Sequence, residues 1–375
     1  MASPALTDIK IPAQLLPLDG RFGSGPSKIR AEQIDAVVRA SRNILGTSHR
    51  QAPVKNLVGS VIDQMRQLFQ LPQDWDVVIG NGGASLFWDA ATFGLIHERS
   101  AHFVFGEFSS KFAQAAQLAP HLGDPIVIES APGTVPAIQQ SDVDTYCLTH
   151  NETSTGASMQ LSRPATPADA LVVVDGTSAA GGIDWTPSEV DVYYFSPQKG
   201  FASEGGTWIA LCSPRAVERI NKIKSTGRWC PPSLDLSLAL ENSRANQTYN
   251  TPSLSTFVML NEQLGWMLDN GGLDWCTKRT QQSADILYGW ATSRAFTEPF
   301  VGNPQHRSPV VGTIDFIDVD AAQVATVLRN NGIVDTEPYR KLGRNQLRVS
   351  MFPAVDPSDV QLLTASIDYI VEQLS

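Results

Sequence analysis

Five short apolar runs, each closing on small or polar residues, constrain this chain more than any other feature. They are Trp75–Ile79, His102–Phe105, Thr145–His150, Leu171–Asp175 and Val192–Phe195. Runs of Val, Ile, Tyr and Phe read as strands buried on both faces, the habit of a mainly parallel sheet covered by helices. In open α/β sheets ligands bind beyond the carboxyl ends of the strands, so the loops after these runs are where chemistry is expected. Two loops stand out. Val192–Phe195 leads into Ser196-Pro197-Gln198-Lys199-Gly200, and Leu171–Val174 ends on Asp175-Gly176. A lysine at a strand end that loses solvation drops its pKa and attacks aldehydes, although a lone lysine there is more commonly a solvated loop residue. If the two strands are sheet neighbours, amine and carboxylate point into one crevice. Pyridoxal phosphate needs both, a lysine on its aldehyde and an aspartate on its ring nitrogen. Asp175 as a simple turn cap stays open.

The first of the five runs leads into Gly80-Asn81-Gly82-Gly83-Ala84-Ser85, followed by helical periodicity over Leu86–Ile96. A strand, a glycine loop and a helix start present free N–H groups and a positive helix end to an anion. A P-loop needs Gly-Lys-Ser/Thr, which is absent. A dinucleotide fingerprint needs Gly or Ala where Ser85 stands and an acid further on, which Glu107 mimics. Asp175 and Lys199 favour a phosphate monoester. Phe108 follows the next strand and suits either a ring face or core packing. The hydroxyls of Asn151-Glu152-Thr153-Ser154-Thr155 suit either a phenolic oxygen or a turn. The turn-rich loop Phe22–Ser27 either approaches a ligand or simply leads a helix.

Three further groups of cations matter. His49 and Arg50 lie in a short loop between the helix-like stretches Ile29–Leu45 and Val54–Leu71, where they either grip an anion or stay solvated. Arg348 lies in the strand-like run Gln346–Met351, among apolar neighbours; a guanidinium buried there needs an anionic partner, whereas on an exposed edge it needs none. Arg340, Lys341 and Arg344 form a charged turn just before it.

The 375 residues, 42% hydrophobic and 18% charged, suit a globular protein with a large core. Residues 1–20 are proline-punctuated and expected to be extended. A large domain is expected over 21–254. From about 255 the pattern changes to two long helices, a strand at 308–317, a helix at 320–331, a strand at 346–351 and a final helix, a smaller α+β domain over 255–375. A net charge of −10 disfavours nucleic acid or an anionic membrane as partner without forbidding a local basic pocket. No apolar stretch approaches the ~20 residues that span a bilayer. Four scattered cysteines fit a reducing compartment, and with no secretory leader in view the cytoplasm is expected. The six histidines are dispersed without the H-E-x-x-H zinc pattern, so no metal is expected, and G-x-S-x-G does not occur.

Seven motifs fall in the order seen in phosphoserine aminotransferases: Ser48-His49-Arg50, Gly82-Gly83-Ala84-Ser85, Asn151-Glu152-Thr153, Val174-Asp175, Gln198-Lys199-Gly200, Tyr249-Asn250-Thr251-Pro252 and Arg348-Val349-Ser350-Met351. The chain resembles the actinobacterial branch of that family from about Phe22 to Ala354. The resemblance implies a fold type I pyridoxal-phosphate transferase, a homodimer with shared active sites. It implies Lys199 as the Schiff-base lysine, Asp175 at the pyridine nitrogen, Thr153 at the 3-hydroxyl and Phe108 over the ring. Ala84, Ser85 and Gln198 would hold the phosphate, joined by Asn250 and Thr251 of a second copy. Arg348 would take the substrate carboxylate, and His49 and Arg50, with Arg344 nearby, the distal anion. Two departures stand out. Many members carry His-Arg where this chain reads Arg340-Lys341-Leu342-Gly343-Arg344, and an arginine common in the glycine loop is replaced by Ala84-Ser85. The implied substrates are glutamate and 3-phosphohydroxypyruvate, in serine biosynthesis, with pyridoxine biosynthesis as a second implied role. Other class V aminotransferases, such as those acting on alanine or serine and glyoxylate, or a non-catalytic pyridoxal-phosphate carrier, remain alternatives.

Overall fold

The computed structural model describes residues 6–165 and 169–374; residues 1–5 of the expected extended segment lie outside that range. The chain runs through α1 (Ala31–Ala40), α2 (Ala52–Leu68), β1 (Asp76–Asn81), α3 (Ala84–Gly94), β2 (Ser100–Val104), α4 (Glu107–Leu118), β3 (Ile126–Glu129) and β4 (Thr145–Thr149). A small hairpin of β5 (Asn151–Glu152) and β6 (Ala157–Ser158) follows, then β7 (Leu171–Asp175), β8 (Val192–Phe195) and β9 (Thr207–Cys212). Helices α5 (Pro214–Ser225), α6 (Leu236–Arg244), α7 (Leu254–Asp269) and α8 (Gly272–Ser293) come next. The chain ends in β10 (Thr297–Pro299), β11 (Val311–Phe316), α9 (Ala321–Asn330), β12 (Gln346–Ser350) and α10 (Pro357–Leu374).

Among the described residues the large sheet has seven strands in the order β1-β9-β8-β7-β4-β2-β3. Strands β8, β7, β4, β2 and β3 are mutually parallel, and β9 is antiparallel to both its neighbours. β1 therefore runs with the parallel set, and the carboxyl ends of β1, β2, β4, β7 and β8 open at one edge. Apart from the edge strand β3, which alternates between half-buried and exposed residues, the strands carry no polar alternation because both faces are covered. Val172, Val174, Tyr193, Phe195, Ile209 and Leu211 face a core built with α1, α2 and α7. Their neighbours Val173, Val192, Tyr194, Trp208 and Ala210 face a second core built with α3, α4, α5 and α6. The architecture is α/β, a mainly parallel sheet between helical layers.

The second sheet, β10-β11-β12, is antiparallel and packs with α8, α9 and α10. Ile9 and Ile11 join this core, and the early chain is tied down by Ile11 N–H donating to Asn331 Oδ1 (3.1 Å) and Leu18 N–H to Asp359 Oδ1 (2.8 Å). The compositional boundary at 255 falls at the start of α7, whose Phe257, Leu260, Leu264 and Met267 belong to the first core. Passage between cores occurs along α8, with Leu273 and Cys276 in the first and Ala284 and Leu287 in the second.

The stretch after β9 holds α5 and α6. Its start signals are local: Ser213 Oγ accepts from Ala216 N–H (3.2 Å) ahead of Pro214 at the first helical position. Asp235 likewise accepts from the N–H of Ser237 (2.9 Å) at the head of α6. One periodicity misleads. Ile34 and Val38 repeat at helical spacing in α1, yet they are 49% and 65% exposed, and the inward face is Gln33, Ala36 and Ala40.

Candidate active site

The loop after β8 carries Lys199 to the open edge of the sheet, where it is 7% exposed. Its Nζ donates to Thr153 Oγ1 at 2.8 Å and lies 5.1 Å from the centre of the Phe108 ring. Burial pushes its pKa down to about 8 from 10.5, only partly countered by the nearby Asp175 carboxylate, and Arg348 adds to the fall. The loop of Ser24–Ser27 crosses the same lysine: Ser27 Oγ donates to the Lys199 carbonyl (2.6 Å). Gly25 allows that approach, because at its φ of +141° a Cβ would lie 2.8 Å from Lys199 Cε.

β7 and β8 are parallel neighbours, with Asp175 opposite Tyr194, so the carboxylate and the amine do share one crevice. Asp175 is 4% exposed. Its Oδ2 accepts from Trp88 Nε1 (3.2 Å) and its Oδ1 from the Thr177 N–H (2.8 Å). Nearby, Gly83 caps α3 with no side-chain hydrogen bond and no acid in the first turn. The first N–H groups of the helix, on Ala84 and Ser85, therefore lack a side-chain acceptor and meet the same space.

Thr153 is presented by the β5–β6 hairpin. The fully buried Glu152 beside it accepts from the N–H groups of Phe108 (3.1 Å), Ser109 (2.9 Å) and Ser154 (3.2 Å). One carboxylate thus caps α4 and fixes Phe108 relative to Thr153. The hairpin docks on the second sheet through Thr313 Oγ1 donating to the Thr155 carbonyl (2.8 Å). That docking brings Arg348 of β12 in: its Nη1 donates to the Thr153 carbonyl at 3.3 Å. The partly buried guanidinium, its pKa lowered by burial, has no carboxylate partner among the described residues, and its Nε is buried without a hydrogen bond.

A cavity of about 320 Å³ joins these groups. Of the residues singled out from the sequence, Ala84, Ser85, Phe108, Thr153, Asp175, Gln198, Lys199 and Arg348 line it. Five others do not. His49 Nδ1 pairs with Thr251 Oγ1 (3.1 Å), Arg50 with Gln247 (3.0 Å), and the carbonyls of Asn250 and Thr251 accept from Asn81 Nδ2 (3.3 and 3.2 Å). Arg344 is committed to Asp315, with Nε 3.1 Å from Oδ1, and lies over the Phe300 ring. Sequence reasoning missed Trp88 and Tyr339. Trp88 stands one helical turn beyond Ala84 and Ser85, a spacing that signals the same face. Tyr339 is an aromatic just ahead of the charged turn, and its one signal is proximity to Arg348.

The lining fits pyridoxal phosphate. Gln198 Oε1, Ser24 Oγ, Thr177 Oγ1 and Asn151 Oδ1 are buried polar atoms without partners, all on residues of the cavity wall. Together with a poised amine, an oriented carboxylate and an uncapped helix start, they offer what an aldehyde, a ring nitrogen and a phosphate require. Among the described residues no three His, Cys, Asp or Glu side chains gather as a metal site, and no helix is long and apolar enough to cross a membrane.

A family model described as aminotransferase class V matches residues 22–363. A phosphoserine aminotransferase of Rhodococcus jostii is 56% identical over 366 residues, covering 97% of this chain and 98% of that one. The phosphoserine aminotransferase of Rhodococcus opacus matches to the same extent, 56% over 366 residues with 97% and 98% covered. Among solved structures, a phosphoserine aminotransferase from Cytophaga hutchinsonii superposes with a TM-score of 0.85 at 22% identity, covering 94% of this chain and 99% of that one, a likeness of fold.

Proposed function

Because the chain belongs to the class V aminotransferases, we propose that it moves the amino group of L-glutamate to 3-phosphohydroxypyruvate, reversibly, giving 2-oxoglutarate and O-phospho-L-serine. The observation that carries this reading is Arg348. A cation withdrawn from water without a counter-charge, in the cavity that holds Lys199, is matched by a substrate carboxylate. A non-catalytic carrier would leave it with nothing to bind.

Pyridoxal 5′-phosphate supplies, when bound, the electrophilic carbon and the electron-accepting ring that this chemistry needs. The chain's own groups do the rest. Lys199, with its pKa down to about 8, exposes a usable fraction of neutral amine near neutral pH, so Nζ would take a proton from the substrate α-carbon and return it to the carbon across the nitrogen, two bonds away. Thr153 Oγ1 fixes that nitrogen's position. Asp175, held by Trp88 and Thr177, would keep a proton on the cofactor's ring nitrogen. Ala84 and Ser85 at the α3 start, with Gln198, would hold the phosphate, and Phe108 would cover the ring face.

Both substrates carry an α-carboxylate and a second anion. Within one chain the lysine and arginine lining the cavity are Lys199 and Arg348, which leaves the second anion unmatched. His49, Arg50, Asn250 and Thr251 gather elsewhere, next to the exposed Tyr249. This supports a homodimer in which each copy completes the other's cavity, with His49 and Arg50 on the distal anion. Arg344, bound to Asp315, is the weaker candidate there. The product belongs to serine biosynthesis, and a phosphorylated precursor of pyridoxine carries the same pair of anions. Four free cysteines support the cytoplasm as the site of action.

The test is the visible spectrum of the holoenzyme. Glutamate should convert the cofactor's absorption and 3-phosphohydroxypyruvate should restore it. Restoration by glyoxylate at far lower concentration would favour a glyoxylate aminotransferase instead, and no response to any amino donor would refute transamination.

A further inference from the structure

Tyr339 lines the cavity from the segment ahead of β12. Its ring meets two groups of the site: Phe108 edge-on at 6.0 Å and Arg348, whose Cζ lies 5.5 Å from the ring centre. Two residues on, Lys341 pairs with Glu107, the residue that precedes Phe108 at the head of α4. The 339–342 turn is thus pinned to the first turn of α4 twice, ring to ring and charge to charge. A backbone bond from Leu342 N–H to the Tyr339 carbonyl (2.9 Å) closes the turn, and one from Arg348 N–H to the Thr336 carbonyl (2.8 Å) closes the wider segment that carries it.

Arg348 needs such support. Its guanidinium makes one long hydrogen bond, to the Thr153 carbonyl, and has no carboxylate partner among the described residues to hold it before substrate arrives. A free arginine loses rotamer entropy when a ligand orders it, which weakens binding. A ring face attracts the guanidinium without occupying its N–H donors, so the planar fork stays available for a carboxylate.

We propose that Tyr339 is a positioning residue that pre-orders Arg348 for the substrate α-carboxylate, and that the Lys341–Glu107 ion pair holds Tyr339 in place. The proposal rests on Arg348 as the carboxylate arginine of an aminotransferase. It assigns Lys341 to a latch between two loops and not to the distal anion of the substrate.

The experiment measures KM and kcat for glutamate and 3-phosphohydroxypyruvate. Beside it, calorimetry on the holoenzyme gives the Kd of α-methyl-L-glutamate, which has no α-proton and is not turned over. The binding arm requires only a carboxylate site, so it decides the matter even if 3-phosphohydroxypyruvate proves not to be the acceptor. Tyr339→Ala should raise Kd and both KM values about tenfold while kcat stays within about threefold, in line with a desolvated cation–π contact. Tyr339→Phe, which keeps the ring, should return Kd to within about twofold of the parent. Tyr339→Leu, which keeps an apolar wall, should resemble the alanine variant and covers the case in which that variant folds poorly. Glu107→Gln and Lys341→Ala should each raise Kd about threefold, less in high salt, without adding in the double variant. Unchanged Kd in both Tyr339→Ala and Tyr339→Leu would overturn the proposal, as would equal loss in Tyr339→Phe. So would a lower KM for the phosphorylated substrate in Glu107→Gln, the result expected of a lysine released to bind it.

Discussion

Replacing Lys199 by methionine should abolish turnover and, in cofactor-free protein, raise stability at neutral pH. The side chain is 7% exposed, and burial takes its pKa from 10.5 to about 8. At about 1.4 kcal/mol per pKa unit, holding the ammonium in the fold costs about 3 kcal/mol at pH 7. Methionine also removes the hydrogen bond that Nζ donates to Thr153, worth about 1 kcal/mol, so the net gain is about 2 kcal/mol. Over a chain of 375 residues, an unfolding entropy of about 2.1 cal/mol/K per residue turns this into a rise in Tm of about 3 °C. The pH dependence gives the sharper test. The folded pKa lies below the unfolded one, so between pH 8 and 10.5 the unfolded chain binds the extra proton. Wild type therefore gains on the variant as pH rises. The penalty is full below pH 8, falls to about 1.4 kcal/mol at pH 9.5 and vanishes above 10.5. Near pH 9.5 the lost hydrogen bond roughly offsets what remains, and the two proteins converge. Calorimetry of both cofactor-free proteins at pH 7, 8.5 and 9.5, at one protein concentration, measures this directly. A Tm no higher than wild type at pH 7, or a difference that stays flat to pH 9.5, refutes the account of a buried lysine whose pKa the fold lowers.

Two more outcomes follow from the same geometry. Arg348→Gln should raise KM for both glutamate and 3-phosphohydroxypyruvate by about 100-fold, since a charge-assisted pair is worth about 3 kcal/mol; steady-state kinetics reads this, and an effect on one substrate alone contradicts a shared α-carboxylate role. Gly25→Ala should lower cofactor content and activity at least tenfold, because its Cβ would meet Lys199 Cε at 2.8 Å from a backbone φ of +141°; full occupancy in the purified variant, seen in its visible spectrum, would show that the loop yields without disturbing the lysine.

Much of the site was legible in the sequence because strand ends are local signals. An apolar run that stops at a small or charged residue fixes where a loop begins, and a parallel sheet gathers such loops at one edge. Asp175, Lys199, Phe108, Thr153 and the α3 start were found that way, and the structure brings all of them to one cavity. The helices after β9 are not legible as apolar runs, because their start signals are the polar caps Ser213-Pro214 and Asp235. Periodicity failed at Ile34 and Val38, because helical spacing says which residues share a face and not whether that face turns inward.

What the sequence alone determined, then, was the order of strands and loops, and with it the amine and the carboxylate that must meet. Only the folded chain decided which cations are free. Arg344 and Arg348 stand one turn of sequence apart and look alike on the page. Asp315 from β11 takes the first, whereas the docking of the β5–β6 hairpin leaves the second beside Thr153 with no carboxylate partner among the described residues. A charge is spent or available according to its neighbours in space, and those neighbours come from segments far apart in the chain.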